Sequence, residues 1–465
     1  MIEIINTIND IIWGYAVIAA ILGCGLWFTY RTRFVQFRMI GEMFRLLTDS
    51  SVKPKGNKKH ISSFQAFAVS MAARVGTGNL AGVATAIAVG GPGAVFWMWV
   101  VALLGAANAF VESTLGQLFK RPHSDSFIGG PAYYIERGLR CRWMAVLFAV
   151  LLTMSFGIAN NSTQANTICG AMKTAFGWNP ATVGIVLSIL TLVIIFGGIQ
   201  RIARVSSVLV PIMAVGYFIL AAVIIIMNIG HLPHIFRVII ESAFGIRQAA
   251  GGMVGAAIMN GVKRGIFSNE AGEGSAPNAA ATADVSHPVK QGLIQALGVF
   301  TDTLVVCSCT AFIILVSGLY DNPELNGIVL TQKALESEVG AWGPVFIAVA
   351  ILLFAYSTIL SNYYYGEANI RFMTRSPHVL TIYRLFSGCV MIMFGALVSL
   401  ETVWSIIDLC MALVTACNLV AISLLGKYVF RLLDDYRRQK RQGTADPTFH
   451  RSQLPEIADR LDCWE

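Results

Sequence analysis

The chain has 465 residues, of which 55% are hydrophobic and 13% charged, with a formal net charge of +8 and a mean hydropathy of +0.65. Soluble domains carry roughly 25% charged residues, so a soluble globular protein is excluded and a chain whose outer surface faces lipid is indicated. Lys and Arg fall in the gaps between apolar runs, where membrane topology puts them, so the net charge gives no reason to expect nucleic acid.

Eleven apolar segments are long enough for a helix to cross a hydrocarbon core about 30 Å thick. They span roughly 11–29, 64–90, 94–119, 143–170, 180–200, 207–230, 249–275, 289–318, 342–368, 379–399 and 403–430. The first does not read as a typical cleaved signal sequence, because no basic residue precedes it while Arg31 and Arg33 follow it. Pro180, Pro288 and Pro344 stand near segment starts, where a missing N–H is tolerated. The second segment reads AARVGTGNLAGVATAIAVGGPG over 72–93, and the seventh GIFSNEAGEGSAPNAAATA over 265–283. Both place clustered glycine with Asn, Ser or Thr at membrane depth. Unwound backbone there must line protein or a water-filled cavity, because lipid leaves its polar groups unpaired. Close helix packing through small residues explains Gly78 and Gly82 but not Asn79 and Asn269.

Charge sets the orientation. The stretch 31–59 holds eight basic residues, Lys53, Lys55, Lys58 and Lys59 among them, and 120–142 holds five. With Arg201 and Arg204, then Lys263, Arg264 and Lys290, then Arg371, Arg375 and Arg384, and the tail after Gly426, 29 of the 34 Lys and Arg fall on one side. Lys173, Arg237, Arg247 and Lys333 fall on the other, and Arg74 lies inside the second segment. The positive-inside rule gives an outside N-terminus and a cytoplasmic C-terminus. Segments 2–6 and 7–11 then form two five-helix halves of opposite orientation, each led by a broken helix. That is the plan of an inverted-repeat secondary transporter with one extra N-terminal helix. The expected divisions are 1–60 for the extra helix and basic loop, 61–230 and 231–432 for the two repeats, and 433–465 for a cytoplasmic tail.

Other chemistries find little support. The nine cysteines form no CxxC pair, His231 and His234 read as an ordinary loop pair, and no GxxxxGK[ST] points to ATP. No nucleophile–base pair stands out, so an enzyme is not expected. Gly76–Ala81 matches G-x-G-x-x-A, but it lies in an apolar helix with no strand before it.

The transport chemistry centres on Gly76-Thr77-Gly78-Asn79. A helix broken there exposes N–H groups from about Gly78 to Gly82, which suit a carboxylate. It also exposes carbonyls from about Ala72 to Val75, which suit a cation or an ammonium group. Arg74 is a functional candidate by its depth, with a structural ion pair to Glu112, Glu270 or Asp408 as the plainer reading. Asn160 and Gln164 share a helix face in the fourth segment, either as substrate contacts or as interhelical glue. Ser357, Thr358 and Ser361 cluster in the ninth and offer hydroxyl oxygens to a hard cation, although such groups often bond back to their own helix. Asp302 and Asp408 are single acids in apolar runs, readable as proton relays or as hydrogen-bond anchors.

The runs GTGNLAGVATAIAVGGPGAVFWMW, GGPAYYIERGL and GIFSNEAGEGSAP resemble the alanine/glycine:cation symporter family, and the resemblance extends from Ile11 to about Leu425. It implies a leucine-transporter-like fold with a five-plus-five inverted repeat. It also implies sodium-coupled import of small neutral amino acids (alanine, glycine and serine) in a prokaryotic inner membrane, with no cofactor beyond the co-transported sodium. Gly76, Thr77, Gly78 and Asn79 match the family's substrate-binding break, and Gln164 its substrate-contacting glutamine. Phe267 and Asn362 join the substrate set. Thr358, with Ser357 and backbone oxygens near Arg74 and Val75, matches the sodium site. Asn362 stands where many members carry tryptophan, Glu273 replaces an apolar residue, and Cys417 replaces a proline. The competing expectations are a proton-coupled symporter of the same fold, and a channel or sensor that does not transport.

Overall fold

The computed structural model describes residues 2–48, 61–123, 126–245 and 251–464; Lys53, Lys55, Lys58, Lys59 and Arg247 of the charge count lie outside the described residues. In chain order, α1 (Glu3–Arg31) leads through two short helical stretches, Val35–Arg38 and Ile40–Leu47, to two helices that meet end to end, α2 (Ser63–Arg74) and α3 (Gly78–Gly90), and then to α4 (Gly93–Leu118). An antiparallel hairpin, β1 (Arg121–His123) with β2 (Ser126–Ile128), and the short α5 (Pro131–Gly138) lead to α6 (Arg142–Phe176), α7 (Pro180–Ile195) and α8 (Gly198–Met227). The short α9 (Leu232–Phe244) precedes α10 (Gly251–Asn269), which ends in a turn before the five-residue α11 (Ala276–Ala280). Then come α12 (Pro288–Ser317), the short α13 (Gly327–Val339), α14 (Gly343–Met373), α15 (Pro377–Leu397) and α16 (Leu400–Arg441).

Among the described residues, eight of these helices are long and apolar enough to cross a membrane: α1, α4, α6, α8, α12, α14, α15 and α16. The remaining apolar runs correspond to the α2–α3 pair, α7 and α10. Helix starts follow local chemistry. At α2, Ser62 Oγ accepts from the Gln65 N–H (3.1 Å) while Gln65 Oε1 accepts from the Ser62 N–H (3.0 Å), a reciprocal cap. α7, α12, α14 and α15 each carry proline in the first turn.

α4 packs most extensively against α12 and α10, through a face rich in Ala and Gly that lets backbones approach closely. The outer surface is apolar. On α8, Val208, Ile212, Val215, Ile219, Val223 and Ile226 are all exposed, a stripe that fits lipid rather than water. Residues 442–464 fold back onto the bundle. The Phe449 N–H donates to Ser286 O (2.9 Å), Trp464 Nε1 donates to Leu118 O (3.1 Å), and Asp462 pairs with Arg137 (2.7 Å).

One part of the charge count is corrected. Lys263 and Arg264 lie inside α10 and pair with Asp408 of α16 at 3.1 and 2.6 Å, eight residues from the start of α16. They belong to the half of the bundle away from the tail, and both are held by the single carboxylate of Asp408. They therefore carry no topological signal.

Candidate functional site: a helix break closed by a threonine and an aspartate

The last regular bond of α2 runs from the Val75 N–H to Met71 O (2.8 Å). The next N–H, that of Gly76, turns to Asn79 Oδ1 (2.9 Å). Ala72 O thereby loses its ordinary helical donor, and it accepts instead from Thr358 Oγ1 of α14 (2.7 Å), with Val75 O 3.4 Å from the same hydroxyl. The Thr77 N–H donates to Gln164 Oε1 (2.9 Å), and Gln164 Nε2 in turn to Asn160 Oδ1 (2.6 Å). A side chain on Gly76 would put its Cβ 2.8 Å from that Gln164 oxygen, so only glycine fits between α6 and α14 here.

On the far side of the break, Asp302 of α12 joins the two interrupted segments. Its Oδ1 accepts from Asn79 Nδ2 (2.7 Å), while its Oδ2 accepts from Ser268 Oγ (2.7 Å) and Thr303 Oγ1 (3.0 Å). Thr310 Oγ1 donates to Asn79 O (2.6 Å). Asp302 is thus a hydrogen-bond anchor in this arrangement, one of the two roles open from sequence. Asp408, with Lys263 and Arg264 on it, is a charge partner.

Of the residues singled out from sequence, Val75, Gly76, Thr77, Asn79, Gln164 and Thr358 meet at the break through the bonds above. Gly78 and Phe267 lie together: a Cβ on Gly78 would stand 2.9 Å from Ser268 Cα and 3.2 Å from Phe267 Cδ1. Phe267 meets Trp404 edge-on at 4.7 Å between ring centroids. Trp404 also lines a cavity of about 360 Å³ with Thr85, Arg264, Glu401 and Asp408. The aromatic pair therefore separates the break from an opening at the end of the bundle away from the tail. Asn362 is fully buried four residues beyond Thr358, on the same face of α14, and neither atom of its amide has a hydrogen-bond partner among the described residues. Tyr363 is turned to α15, stacked on Tyr383 and accepting from Arg384 Nε (3.0 Å), so it does not fill that space.

Two expected contributors are not brought in. Ser357 bonds back to Phe354 O (2.8 Å) and faces Met213 of α8 (3.9 Å), because one step along a helix turns a side chain by about 100° away from Thr358. Arg74 offers no carbonyl to Thr358; that place is taken by Ala72 and Val75. Nor does its guanidinium form an ion pair with Glu112, Glu270 or Asp408: Nη1 donates to Gln295 O (3.1 Å), and Nε and Nη2 have no hydrogen-bond partner among the described residues.

The second break, after α10, is filled differently. Glu270, Gly272 and Gly274 take φ of 56°, 92° and 81°, left-handed values that glycine adopts at little cost. The carboxylate of Glu112 on α4 accepts from the Gly272 N–H (3.3 Å), the Gly274 N–H (3.1 Å) and Asn418 Nδ2 of α16 (2.8 Å), and Asn418 Nδ2 also reaches Gly272 O (2.9 Å). The sequence reading weighed Glu112 only as a partner for Arg74.

The arrangement at the first break offers two carbonyls and a hydroxyl to a hard cation. Close by, the positive end of α3 suits an anion. The comparisons agree with a carrier. The family model described as the sodium:alanine symporter family matches residues 1–451. A Bacillus subtilis protein named "Probable sodium/glutamine symporter GlnT" is 51% identical over 99% of this chain and 96% of its own length. A Methanococcus maripaludis protein named "Sodium/alanine symporter AgcS" is 37% identical over 92% of this chain and 95% of its own. Among solved structures, an Eremococcus coleocola manganese transporter shares the fold, with a TM-score of 0.51 at 14% identity over 89% of this chain and 88% of that one.

Proposed function

The chain belongs to the sodium:alanine symporter family, and from that premise we propose that it imports neutral amino acids with sodium by alternating access, through the site at the α2–α3 break. Segments 61–230 and 231–432 serve as the two inverted repeats, the tail faces the cytoplasm, and the membrane is the inner membrane of a prokaryote.

The observation that carries this reading is the geometry at Thr358. One hydroxyl faces two carbonyls on the unwound end of α2, and a cation inserted there would tie α2 to α14 while replacing the hydroxyl's own hydrogen bonds. The zwitterion sits beside it, its carboxylate toward the first turn of α3 and its ammonium toward the carbonyls ending α2. Sodium and substrate then favour the same arrangement of the break, and each raises the affinity of the other. Phe267 and Trp404 close the site toward the cavity that opens at the extracellular end.

The side chain of the substrate points to Asn362. A buried amide without a partner costs free energy, and a hydroxyl or amide on the substrate relieves it. The substrates are therefore alanine and glycine, extended to serine and glutamine. The test is uptake of labelled alanine, glycine, serine and glutamine into proteoliposomes under an imposed sodium gradient, then under a proton gradient alone. Accumulation with sodium and none with protons is the expected result. Accumulation driven by the proton gradient alone overturns sodium coupling, and failure of glutamine and serine to compete with alanine overturns the role of Asn362.

A further inference from the structure

At the tail-bearing end of the bundle, a cavity of about 970 Å³ opens between the start of α6, the end of α14, the start of α15 and the β1–β2 hairpin. We propose that it binds the phosphate of an anionic phospholipid headgroup. The proposal needs only that the chain spans a membrane, and stands whichever amino acid is carried.

The cavity is lined by Arg121, Arg142, Arg371, Arg375 and Arg384, with Asp462 of the tail as its one acidic liner among the described residues. Among the described residues, the carboxylates in reach are already shared out. Glu367 takes both Arg371 (2.7 Å) and Arg384 (3.5 Å), Asp462 takes both Arg137 (2.7 Å) and Arg121 (3.4 Å), and Glu136 takes Arg142. Arg375 is exposed and makes no ion pair with a described residue. Guanidinium charge thus exceeds carboxylate charge around one concave space, and guanidinium is the side chain that holds a phosphate through paired N–H groups.

The source of that phosphate follows from where the cavity opens. On α6, Arg142 is followed at once by Trp143, 71% exposed, and then by Leu147 and Val150, also exposed. On α15, Pro377 is followed by exposed Val379, Ile382 and Leu385. Apolar surface made for hydrocarbon therefore begins within about a turn of the arginines, and an exposed tryptophan at that level marks the interface. A lipid whose phosphate sits in the cavity can lay its acyl chains along α6 and α15, whereas free phosphate uses only the charges. Basic pockets between transmembrane helices are a known way to hold anionic headgroups.

The experiment uses the purified full-length protein in detergent and follows thermal unfolding against added phosphatidylglycerol, phosphatidylethanolamine or inorganic phosphate. Phosphatidylglycerol is expected to raise the midpoint by several degrees, with little change from the other two. Arg142→Gln/Arg375→Gln is expected to need about ten-fold more phosphatidylglycerol for the same shift, each lost charge weakening attraction to the anionic group. The single Arg375→Gln, at an exposed residue with no ion pair to a described residue, gives a smaller shift in the same direction and serves if the double variant does not fold. Arg375→Lys keeps most of the response. An unchanged phosphatidylglycerol dependence in the variants, or an equal effect of phosphatidylethanolamine, overturns the site. An equal shift with inorganic phosphate alone shows a site for soluble anions and overturns the lipid assignment.

Discussion

The two interrupted helices differ in where their freed backbone groups go. After α10, the N–H groups of Gly272 and Gly274 end on the carboxylate of Glu112, and Asn418 ties that carboxylate to α16. The freed N–H groups there already have protein partners. At the α2–α3 junction, the Gly76 N–H is met by a side chain from its own turn, but Ala72 O and Val75 O are left facing a single hydroxyl on another helix. Unwinding a helix at membrane depth does not by itself make a site. A break whose groups are satisfied by protein is a scaffold, and one whose carbonyls share a single replaceable hydroxyl can receive an ion.

Four substitutions press on this contrast. The largest effect is expected for Asn79→Ala. It removes the cap on Gly76 and the bond to Asp302 together, and it should abolish sodium-driven uptake while the protein still elutes as a folded species in gel filtration. Normal transport by this variant would place the substrate elsewhere. Glu112→Ala should act on stability instead. It strands two backbone N–H groups and an amide at a cost of about 3 kcal/mol, read as a lower unfolding midpoint, while the protein that folds keeps the parent's sodium dependence. A stable Glu112→Ala with altered sodium dependence would reverse the roles of the two breaks. Thr358→Ala should raise the sodium concentration for half-maximal uptake about ten-fold, corresponding to ~1.4 kcal/mol, with substrate affinity falling in step; Thr358→Ser should restore most of it. Unchanged sodium titration would remove Thr358 from the ion site. The mildest change is Asn362→Trp. The added ring narrows the pocket, so glutamine and serine should cease to compete with labelled alanine while alanine and glycine still do. An identical competition profile would show that residue 362 does not face the substrate.

The long apolar helices are readable from hydropathy, and both interruptions from glycine set beside Asn and Ser, because these signals are local in the chain; the short α5, α9, α11 and α13 are not. Nor are the partners. Glu112 lies about 160 residues from Gly272 and Asp302 about 220 from Asn79, and no spacing rule connects them. Thr358 stands out both in a hydroxyl cluster and by likeness to a family, and the carbonyls expected with it are those near Arg74 and Val75; the structure sets Val75 O and Ala72 O there, since diverting the Gly76 N–H frees the carbonyl four residues earlier. Lys263 and Arg264 misled for a related reason. Counting charge assumes each one sits in water at a membrane surface, and these two are paired with Asp408 inside the bundle.

α16 has a mechanical consequence. Its 42 residues extend ~63 Å at 1.5 Å per residue, and Asn418, near the middle, grips the second break. From Asn418 to Arg441 the rod is ~35 Å long, so a tilt of 5° about that grip swings its end by ~3 Å, carrying the attached tail. A paramagnetic or fluorescent label near Gln439 would magnify a motion too small to follow at the break itself, and would time the transport cycle from a position that touches neither ion nor amino acid.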